Sequence, residues 1–410
     1  MIKIKTPTER ANLRRIAISS QGLHKPNTFG KGRNAVLRAI KHIGYVQIDT
    51  ISVVERAHHH AIRTRVDNYR PTMLDELLAS KSIFEYWSHA AALLPMSDYR
   101  FSLPYKIALK KGQTHWYKNP DRQLMTKVLE QIRENGPMRS RDFESAKKPG
   151  GAWWDWKPAK KAIEQLYMEG DLMVAKRDGF QKIYDLSERV LPENVEQSPP
   201  SITEFATHLI TQQLRCHGVV ETSAFTYLRK NPALKAMVKQ QVNEGIASGK
   251  YEEILMPSSQ RFVCNKGAFE GNRKRVSERL LILSPFDNLV IQRKRLSEIF
   301  NFDYQIECYV PEAKRRFGYF SLPLLYADRF IGRMDCKAHR KTLKLEIKAL
   351  HFESSLVPSK AINTHELVKS FAHSIAEFMR FQQCQSVEIS RVEPFFMKQE
   401  ILKVLDNLGF

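Results

Sequence analysis

The sequence predicts an α+β protein, mainly α. Three helical segments followed by a two-stranded hairpin recur in tandem, and a small C-terminal antiparallel β-sheet or barrel with a terminal helix follows. Two observations carry this reading. Apolar stripes of helical period lead into paired alternating runs, once across Asp178-Gly179 and again across Pro257-Ser258-Ser259. From about residue 276 the helical period gives way to short alternating stretches separated by turn-prone or charged residues.

Residues 1–118 read as an N-terminal unit related to the two that follow. Helices are expected near residues 12–20 and 31–43, then an extended run at 45–49, then helical segments through 73–78. The pattern is plainest in residues 119–190. Leu124, Val128 and Ile132, with Met125 and Leu129 beside them, form one apolar helical face that Gly136-Pro137 stops. Ser140 can cap a short helix through Arg141, Asp142 and Phe143. Lys157-Pro158 opens a third helix with proline in its first turn, and Ala159, Ile163, Leu166 and Tyr167 supply its buried stripe. Residues 172–176 and 180–186 alternate on either side of Asp178-Gly179. Three helices and a β-hairpin are a winged helix.

Residues 200–275 repeat the scheme. Phe205, Leu209 and Ile210 begin a helix, Thr222 can cap a short one, and Leu234, Val238 and Val242 mark a third. Runs at 251–255 and 261–264 form the second hairpin. The linker 191–201, rich in proline and serine, separates the two copies. In residues 276–410, strands are expected at 304–310, 318–322, 330–335 and 342–350, with Pro323 limiting the second to an edge or a short strand. A helix at about 364–382, striped by Leu367, Phe371, Ile375 and Phe378, closes the sheet.

Charge narrows the function. The 410 residues carry a formal net charge of +21, with a pI near 9.7, which draws the protein toward polyanions. Nucleic acid leads, and an anionic membrane surface is the competitor. No apolar run is long enough to span a bilayer and none near Met1 reads as a signal peptide, so the expected address is the cytoplasm. The five cysteines form no Cys-x-x-Cys pair, which disfavours a zinc site or a disulfide framework. His58, His59 and His60 invite a metal, but adjacent side chains diverge on a helix or strand, so no metal or other cofactor is expected. The length favours a monomeric cradle.

The chemistry concentrates in Gly44-Tyr45-Val46-Gln47-Ile48-Asp49. In an extended segment Val46 and Ile48 point into a core while Tyr45, Gln47 and Asp49 share the other face. A carboxylate and a carboxamide held side by side can stabilise a cation and orient a water. The bland alternative makes Asp49 a cap and leaves Gln47 in solvent. Lys157, Lys160 and Lys161 crowd the start of the third helix of the 119–190 unit, and Lys176, Arg177 and Lys182 flank its hairpin turn. These are the winged-helix elements that usually meet a duplex, and lysines there bind phosphate without reading sequence. Trp153, Trp154 and Trp156 lie just before that helix, at least two of them as core, with stacking or wedging open to the rest.

Several phrases stand together in order: Leu13-Arg14-Arg15 with Gln21-Gly22-Leu23, the Gly44-to-Asp49 run, and Tyr86-Trp87-Ser88-His89-Ala90. Ser284-Pro285-Phe286-Asp287, Tyr309-Val310-Pro311 with Arg315-Arg316, and Gly332-Arg333-Met334-Asp335 follow. This set resembles the winged-helix DNA glycosylases of the crosslink-repair family of YcaQ (AlkX) and AlkZ, over nearly the whole chain. The resemblance implies tandem winged helices and a C-terminal β-domain cradling double-stranded DNA that carries alkylated bases or crosslinks. It also implies excision of N7-alkylguanine and unhooking of interstrand crosslinks. The family's catalytic motif is Gln, an apolar residue, then Gln or Asp. Gln47-Ile48-Asp49 therefore resembles the aspartate, YcaQ-like branch, with Gln47 and Asp49 as the catalytic pair. Tyr45, His59, His60 and His89 are carried over as supporting groups. The rival readings are a winged-helix transcription regulator and a DNA-binding protein without catalysis, since fold alone decides neither.

Overall fold

Asp121 accepts the backbone N–H of Leu124 at 3.0 Å and so starts the helix Arg122–Asn135, which buries Met125, Val128 and Ile132 and ends at Gly136. The chain then forms a short strand Met138–Arg139, a 3₁₀ turn Ser140–Phe143, the helix Trp156–Glu169, and strands Leu172–Asp178 and Gln181–Leu186. Gly179 takes the positive φ that the tight turn requires. The first short strand pairs with the last, and the last with the middle one. This is the winged-helix arrangement expected for this stretch. In the computed structural model, residues 1–143, 156–271, 275–355, 357 and 362–407 are described. Trp153 and Trp154 fall outside them, as do the side chains of Trp156 and Lys157.

The same order of elements occurs twice more. A capping box between Ser201 and Glu204 starts the helix Ile202–His217. Val220–Glu221, Thr222–Thr226, the Asn231-capped helix Pro232–Ala247, and strands Tyr251–Leu255 and Arg261–Asn265 follow. Nearer the N-terminus the elements are Gly32–Ile43, Val46–Gln47, Ala57–Arg63, Thr72–Ala79, Ile83–Trp87 and Ala91–Pro95. Here Val46–Gln47 pairs with Ala91–Pro95, which pairs with Ile83–Trp87. The run carrying Gln47 is thus the short first strand of a winged-helix sheet.

The opening residues pack elsewhere. Thr6 and Glu9 form a capping box for the helix Pro7–Ser20. Ile2–Lys3 adds in parallel to Tyr251–Leu255, and Leu13, Ile16 and Ala17 join the core of that sheet and of the C-terminal region. From Gly32 onward a different core runs without a break into the 119–190 unit, linking Ile40, Val46 and Leu77 to Val128, Ile163 and Leu172.

The C-terminal sheet has five strands in the order Leu280–Ile282, Leu322–Tyr326, Arg329–His339, Lys344–Phe352 and Ser386–Glu393. It is open, so the barrel alternative is set aside, and its last pair is parallel, so it is mixed and not antiparallel throughout. A parallel pair needs a crossover, and the helix Thr364–Gln382 supplies it. A further helix, Phe396–Asp406, follows the last strand. The strand expected at 304–310 is absent, and the one expected at 318–322 begins only at Leu322. Glu307 accepts the N–H groups of Arg316, Phe317 and Gly318, and Asp335 accepts those of Tyr319 and Phe320. Side-chain carboxylates there take the donors that a ladder would have used. Pro323 lies inside the sheet, at a position where Leu283 donates to its carbonyl.

Candidate active site

Gly44 ends the helix Gly32–Ile43 at φ 82°, and a Cβ there would meet the side chain of Gln212 at 2.6 Å. The left-handed turn favours glycine, and a side chain there would also have to displace that of Gln212. The next residues enter the short strand. Val46 pairs opposite Leu93 and Gln47 opposite Ala92, and the N–H of Ile48 donates to Ala91 at 2.8 Å. Val46 and Ile48 are buried, as alternation requires.

On the other face Tyr45, Gln47 and His89 come together. The Tyr45 ring lies edge-on to His89 at 4.9 Å, and His89 Nε2 is 3.2 Å from Gln47 Oε1. Burial, reinforced by the Arg229 guanidinium, pushes the His89 pKa down to about 4, so the imidazole is neutral near pH 7. A neutral ring protonated at Nε2 donates to the Gln47 oxygen and fixes the carboxamide. One lone pair of that oxygen is left for a water. The ring of Tyr227, from the 200–275 unit, packs against the far side of His89 at 5.4 Å.

Asp49 begins the loop after the strand and is half-buried. Its Oδ1 accepts the N–H of Ile51 at 2.7 Å, a local turn that fixes the carboxylate. No cation pairs with it among the described residues. Burial raises its pKa above the ordinary carboxylate range, and the Ile51 N–H only partly offsets this. The carboxylate also faces the loop at 308–309. Burial first and Asp49 second push up the Cys308 thiol, while Tyr309 is raised by Cys308, by burial and then by Asp49. Tyr309 is 82 % exposed. An anion without a cationic partner among the described residues therefore lies near an aromatic surface, two residues along the chain from an oriented amide.

Beneath the strand lies a buried ionic network. Arg65 and Asp287, both side chains fully buried, form a bidentate pair at 2.6 and 2.9 Å. Arg65 also donates to the Gln21 carbonyl and side chain and to the Ala61 carbonyl, and Asp287 accepts from the N–H of Leu289. Asn288 then donates to the carbonyls of Ile43 and Tyr45 at 3.3 and 3.2 Å. The phrases around Gln21 and Asp287 thus hold the floor under Gln47. Gly332-to-Asp335 serves the loop bearing Tyr309: Arg333 packs on Phe317 and bonds Glu353 and the Asp303 carbonyl, beside the Asp335 contacts described above.

Other expected site residues lie apart. His60 Nε2 meets the Ile282 carbonyl at 2.8 Å and its ring lies tilted against Phe378, on the helix Thr364–Gln382. His59 Nδ1 meets the Tyr69 hydroxyl at 2.6 Å. Neither hydrogen-bonds to Gln47, Asp49 or His89. Arg177 and Lys182, expected at the duplex, instead hold the fully buried carboxylate of Glu85. Arg177 pairs at 2.8 Å, and Lys182 Nζ makes an ionic contact of 2.8 Å without hydrogen-bond alignment. That single carboxylate offsets one of the two positive charges. Lys160, Lys161 and Lys176 are exposed, with Lys161 Nζ 5.9 Å from the Tyr117 ring. Sequence reasoning missed Tyr227 and Asn288, which no motif in the sequence singles out. Among the described residues no cluster of histidine, cysteine or carboxylate is grouped to hold a metal ion, and no helix is long and apolar enough to cross a membrane.

Comparison with known proteins bears on the family and the fold. The family described as DNA glycosylase AlkZ-like matches residues 40–381, which include Gln47, Asp49, His89 and Tyr227. The solved structure of the Streptomyces sahachiroi DNA glycosylase AlkZ superposes with a TM-score of 0.61 at 14 % identity, covering 95 % of this chain and all of that one. At that identity the superposition speaks for the fold, and the family match speaks for the chemistry. The chain belongs to the AlkZ-like DNA glycosylases.

Proposed function

We propose that this DNA N-glycosylase removes cationic N7-alkylguanine from duplex DNA and, by cutting at an attached base, unhooks interstrand crosslinks. The observation that carries the reading is the half-buried carboxylate of Asp49, without a cationic partner among the described residues and two residues from an amide fixed by His89. An N7-alkylated guanine already bears a positive charge, so it leaves as a neutral base without a strong acid. The N9–C1′ bond breaks with its electron pair going to the base, and the deoxyribose becomes an oxocarbenium-like cation. Asp49 stabilises that cation and accepts a proton from the water that attacks C1′, leaving an abasic site. Gln47 orients the water through its free lone pair. One well-placed group of this kind is worth about 3 kcal/mol, roughly two decades in rate.

Lys160, Lys161 and Lys176 supply phosphate contacts in this reading, with Lys157 beside them in sequence. Incubation of the protein with duplex containing 7-methylguanine, followed by assay for free base and alkali-labile sites, tests it. Both products should appear together. Sequence-selective binding without release of base would favour a regulator instead.

A further inference from the structure

One exposed apolar side chain stands out beside the site. Leu228 is 64 % exposed and sits at φ 55°, in the turn between Thr222–Thr226 and the helix Pro232–Ala247. A side chain with a Cβ is strained in that region, and an exposed turn is ordinarily given to glycine or asparagine. Asn27, Asn68, Asn119 and Asn301 do this elsewhere in the chain. Leucine at position 228 is thus unfavourable twice over, in backbone conformation and in hydration.

The residues on either side show why it points outward. Tyr227 turns inward, with its ring on His89 and its hydroxyl donating to the Ile291 carbonyl at 3.4 Å. Arg229 packs its guanidinium over Phe205 at 5.2 Å, and its N–H donates to Thr226 at 2.9 Å. Both flanks are fastened, so Leu228 is held away from the protein one residue from the ring that backs His89. Exposed Lys230, Lys235 and Lys239 follow on the same segment. A rigid apolar tip among cations matches a polyanion with an apolar interior, which is a stacked duplex.

We propose that Leu228 is a wedge that enters the base stack next to the lesion and holds the duplex open toward Gln47 and Asp49. Apolar side chains inserted between base steps do this in other DNA-bending proteins. Leu228 is here a positioning residue: it touches the neighbouring bases and not the bond being cut. The proposal rests on the glycosylase reading above, and its test separates the two.

Leu228→Ala, Leu228→Gly and the control Leu343→Ala, which alters another exposed leucine of positive φ, are compared with wild type in the full chain. Single-turnover release of 7-methylguanine is measured from fully paired duplex and from the same lesion inside a three-base bubble. Burial of one leucine side chain sets an expected loss of about tenfold or more in paired duplex for both Leu228 variants. The loss should vanish in the bubble, where the bases are already unstacked, and Leu343→Ala should match wild type. Leu228→Gly should also melt no lower than wild type, because glycine accepts the turn without strain. A second readout does not need catalysis: 2-aminopurine beside an abasic analogue should brighten with wild type and not with Leu228→Ala. Equal rates in paired duplex and equal fluorescence for wild type and variants would overturn the wedge. If wild type releases no base from either substrate, the glycosylase substrate is wrong, and the fluorescence alone decides the wedge.

Discussion

Replacing Asp49 by asparagine isolates the charge from everything else the residue does. The amide oxygen of asparagine can still accept the Ile51 N–H that the carboxylate accepts at 2.7 Å, so the local turn survives. What disappears is an anion with no cationic partner among the described residues. At about 4 Å from a developing unit positive charge, with an effective dielectric near 20, that anion contributes about 4 kcal/mol. Half exposure screens part of it, so a loss of about 3 kcal/mol, roughly a hundredfold in single-turnover rate, is expected. DNA affinity should hold, because the basic surface lies elsewhere. Stability should rise slightly. Burial raises the Asp49 pKa in the folded state. Ionisation therefore costs stability above the unfolded carboxylate pKa, and a neutral amide removes that cost. The assay pairs quenched-flow release of 7-methylguanine with a binding titration and a thermal melt. In wild type, the raised pKa means that activity falls with acidity at a higher pH than an ordinary carboxylate would give. A variant that keeps the wild-type rate, or loses rate only in proportion to binding, would refute this role.

The basic residues should divide by partner. Lys160→Ala with Lys161→Ala should weaken binding to all sequences and reduce the slope of log K against log salt by roughly 1 to 2, read from titrations at several salt concentrations. Arg177→Ala or Lys182→Ala should leave that slope unchanged and instead lower stability, because Glu85 would be left buried with less compensation. Asn288→Leu should lower the rate while sparing DNA affinity and should cost about 1–3 kcal/mol in denaturant unfolding, since the carbonyls of Ile43 and Tyr45 lose their donor. Lys106 is buried with its ammonium between Tyr99 and Tyr86 and without a hydrogen-bond partner, and burial pushes its pKa down to about 7. The unfolded chain therefore binds the extra proton between about pH 7 and the ordinary lysine value. This group should make stability rise with pH across that window by up to about 1.4 kcal/mol per unit. Unfolding of Lys106→Met at several pH values should show that component gone.

Much of the 119–190 and 200–275 units could be read from local chemistry. Asp121 caps, Gly136 stops, and Asp178-Gly179 turns, each acting within a few residues of itself. The hairpin of the first unit was hidden. Ile83 to Tyr86 are buried on both faces, so Ile-Phe-Glu-Tyr shows no alternation. The C-terminal loop read as strand because its residues have strand propensity, while Glu307 and Asp335 divert its amides. In the site, Gln47 and Asp49 were visible as a phrase. The group that orients Gln47 lies 42 positions away at His89, and the partner of Arg177 lies 92 positions away at Glu85. Local charge pattern carries no trace of such pairings, so nothing in it couples Arg177 and Lys182 to Glu85. The same limit holds for His59 and His60 in the run of three. Burial against Ile282 and Tyr69 is not written into three consecutive letters.

The central claim is that the anion at position 49 meets the sugar of the damaged nucleotide as it becomes cationic. Duplexes bearing a cationic pyrrolidine in place of one deoxyribose mimic that state, and a neutral tetrahydrofuran serves as the reference. The wild-type protein should prefer the cationic duplex by about tenfold or more, and Asp49→Asn should bind the two alike. An equal preference for the cation in both proteins would contradict the account.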